Sequence, residues 1–144
     1  SSDLYDIEVL ESLVSGIDMG INASDEVMKN VEDEKLKMIL IEQARSYKAL
    51  KAEAEEQLEY YQRDKENKHV FETAMLKSMV KMKTMMNNDD HKIAKMLIEG
   101  STQAIMSMQT LINDYPDIEE KPKALCEQFL NLSKEHINQW KDFL

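Results

Sequence analysis

The chain has 144 residues, a net charge of −10, 42% hydrophobic residues, three glycines, two prolines and one cysteine. That length supports one domain around one core, residues 1–144, and so few breakers among Glu, Lys, Leu, Met, Ile and Ala predict an all-α protein. The acidic balance argues against a nucleic-acid partner, since the one local basic surplus is Lys77, Lys81 and Lys83.

The first helix is expected over residues 3–30. Ile7, Leu10, Val14, Ile17, Ile21, Ser24, Met28 and Val31 follow one another in steps of three and four, a core seam. Gly16 and Gly20 interrupt it, each costing about 1 kcal/mol relative to alanine. Close approach of a neighbouring helix is the expected compensation. A second helix over 33–64 carries Leu36, Leu40, Gln43, Tyr47, Leu50, Ala54, Leu58 and Tyr61 on its seam. The polar run Asp64 to Lys68 reads as a short connection.

A shorter helix over 70–86 presents Met75, Met79, Met82 and Met86 on one face. Methionine fills pliable cores and adaptable surfaces. These four are therefore candidates for an apolar ligand site or for a homodimer interface. Thioethers also favour Cu(I), but no Cys or His is interleaved here. Asn87 to Asp90 supplies stop-and-restart chemistry, with Asp89 or Asp90 as N-cap of a helix over 90–113. Ile93, Ala94, Leu97, Ser101, Ala104, Met108 and Leu111 point inward there. Gly100, Ser101 and Ala104 make its middle thin, which predicts another backbone packed close. After Asp114 to Asp117, a last helix over 118–143 aligns Leu125, Phe129, Leu132, His136, Trp140 and Phe143.

The two halves echo one another. Leu13-Val14-Ser15-Gly16-Ile17 matches Leu97-Ile98-Glu99-Gly100-Ser101, and the register then pairs Ile21 with Ile105 and Val27 with Leu111. A helix pair used twice is how ferritin-like bundles are built. The expected fold is a ferritin-like up-down bundle of four long helices, with the shorter helix connecting the two pairs.

A diiron site in such a bundle needs Glu from two helices and Glu-x-x-His from the other two. Here only His136 lies on a seam, and Ser133 stands where its Glu should be. A degenerate metal site can be drawn from Asp18, Glu53, Glu99 and His136, but solvated acids and a core histidine describe these residues better. His69 and His91 fall at helix boundaries. Cys126, beside Glu127, reads as a buried core thiol. No phosphate loop, zinc-protease pair or dinucleotide fingerprint occurs, so no catalytic residue and no cofactor is assigned. The single cysteine fits a cytoplasmic setting, and no apolar run approaches the ~20 residues of a membrane span.

The stretch from Asp89 to Ile105, with His91, Ile93-Ala94, Met96-Leu97-Ile98 and Gly100-Ser101-Thr102, resembles a family of short, uncharacterised bacterial helical proteins. Their phrase at this point is His-Ile-Ala-x-Met-Leu-Ile-x-Gly-Ser-Thr-Met-Gly-Ile. The present chain departs from it with Lys92 after His91, and with Gln103-Ala104 in place of Met-Gly. The resemblance implies a ferritin-like helix order and adds no catalytic residue. It also points to the helix over 90–113 as the place for a binding role. The expectation is a non-catalytic binding or structural bundle without a complete diiron site. Its rivals are a metal-binding protein with a degenerate carboxylate/His site and a carrier of a small apolar ligand.

Overall fold

The computed structural model describes residues 2–62 and 89–144, which form helices and short turns, with no strand among the described residues. Helix α1 spans Ser2–Met28, α2 Glu34–Gln62, α3 Asp90–Asp114 and α4 Glu120–Trp140, and a 3-10 turn follows at Lys141–Phe143. These bounds lie within three residues of the expected ones. The expected helix over 70–86, with Met75, Met79, Met82 and Met86, lies outside the described residues, as does His69.

Aspartates organise the helix starts. Asp33 caps α2, its Oδ1 accepting from the amides of Lys35 at 2.7 Å and Leu36 at 3.1 Å. Asp89 caps α3 by accepting from Lys92 N–H at 3.0 Å. Asp90 reaches outward instead. Its two carboxylate oxygens accept from the amides of Glu32 and Asp33, each at 2.9 Å, and so fasten the α1–α2 turn to the start of α3. At the other end Asp6 accepts from Glu119 N–H at 2.9 Å. Glu119 is the N-cap of α4 and makes no side-chain cap bond of its own, so α1 supplies the cap. Tyr115 O–H donates to Glu8 at this same end.

These ties fix the helix directions. Helices α1 and α4 start at the Asp6 end, whereas α2 and α3 start at the Asp90 end. Around the bundle the order is α1, α2, α4, α3, so every lateral neighbour is antiparallel. Replacing Asp90 by alanine strands two turn amides and should cost about 1–2 kcal/mol in urea unfolding. Asp90→Asn keeps one acceptor and should lose less. An Asp90→Ala protein as stable as the parent would mean that water serves those amides equally well.

The core falls into two clusters stacked along the bundle axis. One gathers Leu10, Leu13, Ile17, Tyr47, Leu50, Met108, Leu125 and Phe129. The other gathers Val27, Leu36, Leu40, Ile93, Leu97 and Trp140. Helix α1 buries more than its expected seam. Val9, Leu13 and Val27 are fully enclosed, while Val14 and Met28 are only partly so. This helix contacts all three others, and a helix so enclosed needs an apolar stripe wider than two positions per heptad.

Candidate functional site: a chamber between the core clusters

At mid-height the bundle contains a cavity of about 70 Å³. Two of its walls are thin. Gly16, Gly20, Ala23 and Ser24 of α1 meet Gly100, Ser101 and Ala104 of α3 across it. Small side chains spaced a turn apart on facing helices leave a gap that close-packed protein normally fills. The opposite walls are bulky, with Gln43 and Tyr47 from α2 and Phe129, His136 and Trp140 from α4.

That bulky side is held rigidly. Tyr47 Oη and Ser133 Oγ share a hydrogen bond at 2.6 Å. The Tyr47 ring stacks on Phe129, with centroids 5.6 Å apart, and meets His136 edge-on at 4.7 Å. Gln43 Nε2 donates to Gln139 Oε1 at 2.8 Å. Burial pushes the Tyr47 phenol up to about 12, so it stays protonated. Burial also takes His136 down to about 4, leaving a neutral imidazole at pH 7. The ring nitrogens His136 Nδ1 and Trp140 Nε1 are buried without a hydrogen-bond partner among the described residues.

The glycines correct one expectation. Gly20 does sit at a close contact, against an aromatic side chain and not a helix backbone: a Cβ there would lie 2.6 Å from Tyr47 Cε2. At Gly16 and Gly100 a Cβ would meet nothing within 4 Å among the described residues. Both line the chamber, so the thin middle of α3 borders space where a packed neighbour was expected. The facing pattern of small residues was visible in the sequence, and only the partner helix was needed to read it as a void.

The drawn metal candidates are scattered. Asp18 is paired with Lys51 Nζ at 2.7 Å, Glu53 and Glu99 are exposed, and His136 alone lies in the chamber wall. No three His, Cys, Asp or Glu side chains among the described residues gather closely enough to hold a metal ion. Anaerobic addition of ferrous iron should therefore give no stoichiometric binding after desalting and no rise in melting temperature. Two irons retained per chain would contradict this. Nucleophilic chemistry is equally unsupported. Burial and the neighbouring Glu127 push the Cys126 thiol up to about 12, and the Ser133 hydroxyl is engaged by Tyr47.

The fold and this site define an antiparallel four-helix bundle enclosing a small chamber walled by aromatic, amide and small side chains. The chain belongs to the family described as a domain of unknown function, DUF2383, whose model matches residues 6–114. That stretch contains α2, α3 and nearly all of α1, while α4 lies beyond it. No curated protein and no solved structure matches the chain. No described helix is long and apolar enough to cross a membrane.

Proposed function

We propose that this protein is a non-catalytic binding bundle that holds a small molecule in the mid-height chamber. The observation that carries this reading is the chamber itself, flanked by packed core on both sides. Pockets between the helices of bundles are a common site for ligands. The plan is ferritin-like. Helix order up-down-down-up with one long connection supports it, as does the echo between the halves. Where a diiron bundle carries carboxylates at mid-height, this one carries Gly, Ser, Gln, Tyr and a single His. A cytoplasmic setting without nucleic acid belongs to the same reading, supported by the lone buried Cys126 and the net charge of −10. So does a homodimer through Met75, Met79, Met82 and Met86, which sedimentation tests directly.

Xenon tests the chamber without knowledge of the natural ligand, because it enters apolar cavities. Xenon NMR should show a saturable shift for the parent protein. Ala104→Leu fills the space from α3 and should abolish that shift while circular dichroism stays helical. No saturable shift in the parent, or an equal one in the folded variant, would overturn the reading.

A further inference from the structure

The chamber's chemistry narrows what can occupy it, an argument that rests on the binding function proposed above. A water-sized sphere needs about 10–15 Å³ of such space, so 70 Å³ suits a molecule of roughly five to seven heavy atoms. Among the described residues that line it there is no Asp, Glu, Lys or Arg. A charged guest would give up its hydration without gaining a counter-ion. The polar groups divide into two sets. Gln43 is bonded to Gln139, and Tyr47 to Ser133. His136 Nδ1 and Trp140 Nε1 are buried and unpartnered among the described residues.

Those two side chains sit one turn apart on α4 with ring centroids 6.0 Å apart, near enough for one small polar group to lie beside both. Indole N–H only donates, so it requires an acceptor. A neutral imidazole nitrogen accepts or donates according to its tautomer. A hydroxyl satisfies every combination, having one donor and two lone pairs. We infer that the chamber takes a small uncharged molecule whose hydroxyl is set against His136 and Trp140, with an apolar body between the thin walls of α1 and α3.

Three probes of six heavy atoms separate the possibilities: cyclopentanol, methylcyclopentane and cyclopentylammonium. Trp140 is the only tryptophan, so its emission reports on the site directly. Cyclopentanol should shift that emission saturably, and cyclopentylammonium should not. In Trp140→Phe, followed by ligand-observed NMR, affinity for cyclopentanol should fall about tenfold, the worth of one hydrogen bond. Affinity for methylcyclopentane should change by less than about threefold, since an apolar guest has no bond to lose. Circular dichroism confirms that the variant is folded, and His136→Phe gives a second variant with the same expected selectivity. Binding of methylcyclopentane alone, equal binding of the ammonium, or parallel losses for both neutral probes would overturn the hydroxyl while leaving the chamber intact. Failure of all three probes, together with xenon, would remove the binding function itself.

Discussion

Gly20→Ala should destabilise the bundle by about 2 kcal/mol, although alanine is the better helix former by about 1 kcal/mol. The added methyl would lie 2.6 Å from Tyr47 Cε2 and 3.0 Å from Cδ2, well inside contact distance. The ring cannot easily retreat. It is bonded to Ser133, stacked on Phe129 and faced by the edge of His136. Overpacking therefore outweighs propensity. Gly16→Ala and Gly100→Ala give the opposite sign, gaining up to about 1 kcal/mol, because no described atom meets the new methyl. Urea unfolding of the three variants checks the set. The Gly20→Ala penalty should shrink in a Tyr47→Leu background, where the opposing ring is gone. A Gly20→Ala protein more stable than the parent would show that the aromatic wall yields.

Acid should weaken the fold through His136. Its pKa is about 4 in the folded protein against 6.5 in a solvated chain, because burial disfavours the imidazolium. Between those values the unfolded chain holds a proton that the native one does not. Stability from this group is thus complete above pH 6.5 and is lost as pH falls toward 4. The full span is worth about 3 kcal/mol, most of it gone by pH 4.5. The groups around the ring are Tyr47 and Trp140, both uncharged at these pH values, so no nearby counter-ion offsets the effect. Unfolding free energies at pH 7 and pH 4.5 should diverge strongly in the parent protein and much less in His136→Gln. Parallel losses in the two proteins would place the acid sensitivity elsewhere.

The helices were legible because their signals are local. Steps of three and four from Ile7 to Val31, and from Leu36 to Tyr61, mark helices whatever surrounds them. Asp89 and Asp33 announce starts that need no partner. The second buried row of α1, with Asp6, Val9 and Leu13, was not legible, since its burial depends on being flanked on several sides. The chamber was half-written. Gly16, Gly20, Gly100, Ser101 and Ala104 were conspicuous, but a thin helix fits a tight crossing and a void equally well. The difference lies in side chains contributed from α2 and α4. His136 was recognised as a core histidine, whereas its shared environment with Trp140 and Tyr47 required the fold. Asp90 was read as a candidate cap, and the structure gives that role to Asp89 while Asp90 bridges to a turn 57 and 58 positions earlier.

Asp6 imposes an order on assembly. In the finished bundle it has no exposed surface, and the amide it accepts from belongs to Glu119, 113 positions later. The α1–α2 hairpin closes a short turn and can form as soon as both helices are synthesised. Its Asp6 end cannot dry at that moment, because an ionised carboxylate sheds water only at high cost without a donor to receive it. Hydration of one side chain thus holds that end of the hairpin open on the ribosome until the last helix emerges. Dehydration of the carboxylate and docking of α4 then become a single late step.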